Sequence, residues 1–164
     1  SIHEEIQFVE AYLELQKYRF GNRLSYQIDV EDSCRGYCVP KLTLVTFAEN
    51  ACVHGLENKT AAGWIFVRCY CDEGVLCMEV EDTGHGMSPD LVRDMQENMN
   101  NASMQLLKEN RRVGIMNACL RLRMATGNQA CFELESEKGS GTIITIKIPV
   151  DALHKKAWKQ NENI

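Results

Sequence analysis

No apolar run in this chain approaches the ~20 residues needed to cross a bilayer, and no signal peptide is visible. There is no basic excess either. The formal net charge is −5, which argues against non-specific nucleic-acid binding, since that needs a face of Lys and Arg to neutralise phosphates. A local anion site stays open, because backbone N–H groups can hold a phosphate without any cationic side chain. No two of the eight cysteines have C-x-x-C spacing, so neither a zinc knuckle nor a thioredoxin-type motif is written here. Internal repeats and low-complexity segments are missing as well.

What is present is an ordinary globular mix, 45% apolar and 25% charged, in 164 residues, enough for one domain with a substantial core. Most cysteines sit inside apolar runs such as Phe66 to Cys71. That pattern reads as small buried hydrophobes in a reducing compartment.

Ser1-Ile2-His3-Glu4 has the form of a capping box. Ile2, Ile6, Val9 and Leu13 follow at helical spacing and Gly21 is a stop, so a helix is expected over about 2–20. The chain begins already inside this helical pattern, and we expect residues 1–23 to be a lead-in that continues from an upstream region. Leu24 to Val30 reads as a strand and Glu31 to Tyr37 as a loop. Pro40 suits the first turn of a second helix ending near Gly55. Trp64 to Cys71 and Val75 to Glu81 read as strands joined by the tight turn Asp72-Glu73-Gly74. Ser88-Pro89 starts a short helix. The polar, Asn-, Gln- and Met-rich stretch from Met95 to Arg112 reads as a mobile excursion with one or two helical turns. Gly114 to Ala125 reads as a helix, and Ala130 to Ser136 with Thr142 to Pro149 as a second hairpin. Residues 151–164 read as a polar, partly helical tail. Strands arriving as hairpins predict an α+β two-layer sandwich, with a mixed, largely antiparallel sheet and helices on one face.

Four short patterns carry candidate chemistry. Asp82 continues the apolar face of Leu76, Met78 and Val80 by the period of two, and a carboxylate on the core side must find N–H donors. The exocyclic amine of adenine is one such donor. Asp82 opens Asp82-Thr83-Gly84-His85-Gly86-Met87, where the glycines allow close backbone approach and Met87 can lie flat on a planar base. In the second helix Thr46, Asn50 and His54 share one face, with Glu49 beside them. An Asn amide oxygen can ligate Mg²⁺, and Glu49 can act as a base or orient a water. Arg112-Val113-Gly114 precedes a helix whose free N–H groups and dipole favour a phosphate, with Arg111 or Arg112 adding charge. Gly139-Ser140-Gly141-Thr142 precedes the last strand. Taken singly, each is equally an ordinary element: a turn residue, a solvated helix face, a helix entry, a glycine hairpin.

Together they are more specific. Glu49-Asn50-Ala51-x-x-His54-Gly55, Asp82-x-Gly84-x-Gly86, Gly114 before a helix, and Gly141-Thr142 occur in that order. This combination resembles the GHKL ATPases, the superfamily of histidine kinases, gyrase-type topoisomerases, heat-shock chaperones and mismatch-repair ATPases. Tyr12 to Leu24 further resembles the segment leading into the ATP-binding domain of LytS/YesM-type sensor histidine kinases. The resemblance covers residues 4–149 and implies the Bergerat ATP-binding fold over 24–150, with a lid at about 88–112. It implies ATP and Mg²⁺ as cofactors, Asn50 as the Mg²⁺ ligand, Asp82 as the adenine anchor and Glu49 as the catalytic residue. It implies that His54, Gly84, Gly86, Met87, Gly114, Ile115, Asn117 and Thr142 complete the ATP site, to which Arg112 can add charge for a phosphate. The implied partners are a phosphoacceptor-histidine domain of the same, dimeric protein and a response regulator, but no nucleic acid. A cytoplasmic place in a membrane-anchored bacterial sensor, attached through segments absent here, also follows from the resemblance.

The chain departs from that family at two positions. Arg112 stands where Gly is common, and Val53 where a basic residue is common, so weak or altered ATP binding is an expectation too. Of the other readings, a stand-alone serine kinase of the anti-sigma-factor type would lack the Tyr12 to Leu24 lead-in. A degenerate interaction module would fit Arg112 and Val53. A Rossmann unit fails for want of a third glycine and of βαβ pairing.

Overall fold

The structure, a computed structural model, describes residues 1–57, 60–109 and 113–158. Helix α1 spans Ile2–Phe20, closed at its start by the Ser1/Glu4 capping box and at its end by Gly21 at φ 61°. Its buried residues include the four expected apolar positions, Ile2, Ile6, Val9 and Leu13, and also Glu5. Strand β1 is Leu24–Val30, β2 Gly63–Asp72, β3 Val75–Asp82, β4 Cys131–Glu137 and β5 Gly141–Pro149. They form one five-stranded sheet in the order β1-β2-β3-β5-β4. β1 runs parallel to β2, and every other pair is antiparallel. The sheet is therefore mixed and largely antiparallel, as expected.

Alternation puts Ile65, Val67 and Cys69 of β2, Leu76, Met78 and Val80 of β3, and Ile144, Ile146 and Ile148 of β5 on one buried face. The buried residues of α1, of α2 (Thr43–Asn50) and of α5 (Val113–Ala125) join the same apolar core. The other face carries Trp64, stacked on Phe66, and Arg68 paired with Glu79 and Glu81. Five cysteines are buried, Cys38 and Cys71 are half-buried and Cys131 is exposed.

Two expectations need correction. The second helix begins at Thr43, not at Pro40. Leu42 precedes it in the left-handed region at φ 63°, and the Thr43 hydroxyl donates to the Pro40 carbonyl at 2.6 Å. After Asn50 the helix widens into a π turn over Ala51–Leu56, with Glu57 N–H bonded to the Cys52 carbonyl at 3.0 Å.

The stretch after Ser88 is also far more helical than its composition suggests. It holds α3, Pro89–Asn100, and α4, Met104–Glu109. Met95 and Met99, one turn apart, are buried. Gln96 and Asn100, also one turn apart, serve the outer edge of β4. Asn100 receives Phe132 N–H at 2.9 Å and donates to the Phe132 carbonyl at 2.7 Å. Gln96 receives Leu134 N–H at 2.6 Å and donates to the same Phe132 carbonyl. The polar residues that suggested a loop are partners for an edge strand that would otherwise present unpaired amides.

The tail, as far as Trp158, folds back on the molecule. Lys156 N–H meets the Gly36 carbonyl at 2.8 Å, and Arg35 lies 5.1 Å over the Trp158 ring.

Candidate nucleotide site

Thr46, Glu49, Asn50, Val53 and His54 line a cleft of about 240 Å³ between the α2–π segment and the start of α5, where Val113, Gly114 and Ile115 form the opposite wall. The expected stripe on the second helix is thus gathered against the expected helix start. Asn117, one turn further along α5, is exposed and does not line the cleft. Arg112, with Arg111, lies outside the described residues. Val113 is a cleft residue that sequence reasoning missed; only its place beside Gly114 could have suggested it. Gly114 is spacious: a Cβ there would come no closer than 3.7 Å, to the Thr46 methyl.

Asp82 stands behind the same helix. It is 5% exposed, at the end of the buried face of β3, in register with Ile65 on one side and Thr142 on the other. Its Oδ1 accepts Gly84 N–H at 2.9 Å. A Cβ on Gly55 would lie 2.6 Å from its carboxylate, so the helix backbone runs against this side chain only because residue 55 has none. The loop beyond is held as closely. His85 N–H donates to the Gly55 carbonyl at 3.0 Å, and a Cβ on Gly84 would sit 1.9 Å from that same oxygen. Gly86 adopts φ 67° and lies against the Glu137 carbonyl.

Met87 is 7% exposed and belongs to the apolar core, with its N–H donating to Ser136 Oγ at 2.9 Å. Ser136 donates to the Gly141 carbonyl at 2.8 Å and so accepts from the Thr142 hydroxyl at 2.9 Å. Ser136 was not anticipated. It lies on β4 opposite Thr142 and ties the Asp82 loop to the Gly139–Thr142 turn. Asp82 and Thr142 line a cavity of about 310 Å³. Among the described residues, those expected at the site fall into two neighbouring groups on either side of Gly55.

Asn50 and Glu49 offer oxygen donors to a cation. Among the described residues no three His, Cys, Asp or Glu side chains cluster as a metal site. Such a donor set suits Mg²⁺, which is usually held by one or two protein oxygens with water and phosphate completing its shell. Cys52, behind this helix, is pushed up to about 12 by burial, with its hydrogen bond to Tyr12 acting the other way, and packs as a neutral thiol.

Residues 39–152 match the sequence family of histidine kinase-, DNA gyrase B-, and HSP90-like ATPases. The chain belongs to this ATPase family. Among proteins similar to it is the sensor histidine kinase YesM of Bacillus subtilis (strain 168), 31% identical over 149 residues, 91% of this chain and 24% of YesM. The sensor protein LytS of Bacillus cereus is 28% identical over 148 residues, 90% of this chain and 24% of LytS. This chain spans about a quarter of the length of these curated relatives. The coverage cannot be met by residues 39–164 alone, so the likeness reaches into the lead-in.

Solved structures similar in fold include the histidine kinase domain of the Erythrobacter litoralis EL346 blue-light activated kinase, with TM-score 0.59 and 18% identity. It covers 88% of this chain and 60% of that one. Full-length ShkA in complex with AMPPNP matches with TM-score 0.61 and 20% identity over 96% of this chain and 31% of that one. The likeness to a GHKL domain, drawn from four short motifs, its narrowing to the LytS/YesM type, drawn from Tyr12 to Leu24, and the α+β fold are all borne out.

Proposed function

We propose that this chain is the ATP-binding catalytic domain of a two-component sensor histidine kinase, and that it presents the γ-phosphate to a histidine outside residues 1–164. The observation that carries the reading is the placement of a buried carboxylate, Asp82, directly behind the helix that bears Glu49, Asn50 and His54. An adenine amine satisfies Asp82, while Gly84 and Gly86 let the backbone approach the base and Thr142 backs the carboxylate. Met87, buried below the loop, shapes the base pocket from behind.

The cleft on the other side of Gly55 takes the phosphates. Its volume is below the ~300–1,000 Å³ usual for a small-molecule site, which suits one end of a nucleotide. The first N–H groups of α5, at Gly114 and Ile115, and the helix dipole favour negative charge there, with His54 across the cleft and Arg112 and Asn117 nearby in the chain. Asn50 holds Mg²⁺, which neutralises phosphate charge when bound, and Glu49 orients the attacking group. Catalysis on such a site is mostly positioning and charge stabilisation. Because α3 is bonded to β4 through Gln96 and Asn100, lid movement over 88–112 begins after Asn100.

His3, His54, His85 and His154 do not stand in the family's acceptor context, so the domain binds ATP without phosphorylating itself. In the whole protein the partners are the phosphoacceptor region of the dimer and a response regulator, with membrane attachment through other segments.

The test is calorimetric titration with ATP and ADP, with and without Mg²⁺, beside Asp82→Asn. Saturable, Mg²⁺-dependent binding that is lost in Asp82→Asn is expected. Stoichiometric phosphohistidine on this chain after incubation with Mg-ATP, seen by mass spectrometry, would remove the claim about the acceptor. A folded wild type that binds nothing would support a degenerate interaction module. Val53, apolar and 39% exposed in the cleft wall, is the observation behind that second reading.

A further inference from the structure

α1 and α2 are joined by more than packing. Glu5 is 2% exposed yet carries a carboxylate. Its Oε1 accepts Leu42 N–H at 2.8 Å and its Oε2 accepts Leu44 N–H at 3.0 Å. These amides are among the orphan donors every helix start leaves. α2 has no capping side chain of its own, because Leu42 stands at its cap position. The cap is supplied instead by a residue 37 positions earlier. At the other end of α1, Arg19 Nη2 meets Glu57 Oε1 at 2.8 Å, just past the π turn. Such an exposed pair contributes little by itself. Its position, though, means that α1 grips both ends of the segment bearing Thr46, Glu49, Asn50 and His54.

We propose that Glu5 is a positioning residue for the nucleotide site: through Leu42 and Leu44 it sets where α2, and with it Asn50 and Glu49, stands against α5. This rests on the ATP-site reading above. Glu5 does not line the cleft. It acts along the helix, which carries a displacement of its first turn about 10 Å to Asn50 at 1.5 Å per residue. Any shift of α1 moves Glu5 and hence the wall of the cleft. The Asp82 carboxylate is fixed first by the β2–β3–β5 ladder, and its loop touches the α2–π segment at Gly55, the end far from Glu5. The effect of Glu5 therefore divides between the two groups. Metal and phosphate contacts depend on it most, and the adenine contact least.

Calorimetry on the intact chain, well below its melting temperature, separates this from a merely structural role. The variants are Glu5→Gln and, as a control of similar cost to the core, Val9→Ala, one turn along on the same buried face of α1. Glu5→Gln is expected to weaken Mg-ATP about tenfold or more, since small misplacements of positioning groups cost that much, and to change adenosine, which carries no phosphate, by less than about twofold. Val9→Ala is expected to lower the melting temperature and leave both affinities alone. Should Glu5→Gln fail to fold, Glu5→Asp, which keeps the charge and shortens the reach, is expected to show the same split. Equal affinities in the Glu5 variant and wild type, or an equal loss for Mg-ATP and adenosine, would overturn the proposal while leaving the ATP-site reading intact. A wild type that binds neither Mg-ATP nor adenosine would overturn both.

Discussion

Gly84 and Gly114 lie against the same helix, and each is a glycine for a different reason. At Gly84 a Cβ would meet the Gly55 carbonyl at 1.9 Å, backbone against backbone. At Gly114 the nearest atom is the Thr46 methyl, 3.7 Å away, at ordinary contact distance. The strand side of the site is closed by the protein's own packing, with Asp82, Gly55 and Gly84 leaving no slack. The helix side is open, and its shape is set by how α2 and α5 stand to one another. A motif glycine is thus a statement about the fold in one case and, on the reading above, about a ligand in the other.

The sharpest way to break this comparison is Gly84→Ala. Moving two backbone segments apart is expected to cost ~3 kcal/mol or more, in the range of severe core substitutions, read as a large drop in the urea or thermal midpoint. Gly114→Ala is expected to change stability by no more than about 0.5 kcal/mol, and yet to weaken ATP about tenfold, roughly 1.4 kcal/mol, because the methyl enters the cleft. If Gly114→Ala destabilises as much as Gly84→Ala, the two glycines share a packing role and the contrast is wrong.

How legible this was from sequence follows the same division. The strands, their buried face and the place of Asp82 on it came from a period of two. The buried face of α1 came from helical spacing, with Ile2, Ile6, Val9 and Leu13 at 7% exposure or less. Both are local patterns. The start of α2 was misread because its cap, Glu5, lies on another helix and leaves no local sign. The start of α3 at Ser88-Pro89 was legible from its cap and proline, but its run past Met95 was missed because Gln96 and Asn100 look like loop residues until β4 lies beside them. Ser136 and Val113 were missed because what they do is decided by strand register and by the approach of α5 to α2. Tertiary partners were the part that spacing could not carry.

α3 and α4 make a second comparison within the proposed lid. α3 is bonded to β4 by two side-chain amides; α4 packs on α5, with Leu106 and Leu107 only half-buried. Asn100→Ala leaves the Phe132 N–H and carbonyl with fewer partners and is expected to cost about 1 kcal/mol. Hydrogen exchange should show α3 amides opening faster in this variant, toward the rate of α4. Unchanged protection of α3 would mean that Met95 and Met99 alone hold it.

The smallest expected effect concerns the helix side again, through pH. Burial, opposed by hydrogen bonds from Leu44 and Leu42, holds the Glu5 carboxyl above its ordinary 4.5. Between 4.5 and that raised value the native state keeps a proton that the unfolded chain has released. The contribution of Glu5 to stability is therefore greatest below this window and declines as pH rises through it. Chemical denaturation across the mildly acidic range, with wild type compared against Glu5→Gln, isolates the term because every other titrating group is common to both. The difference in unfolding free energy is expected to slope through that window and to flatten above it. A difference independent of pH would mean that the amides of α2 stabilise the ionised carboxylate as fully as water does, and that the α1–α2 joint is held by geometry with no electrostatic strain.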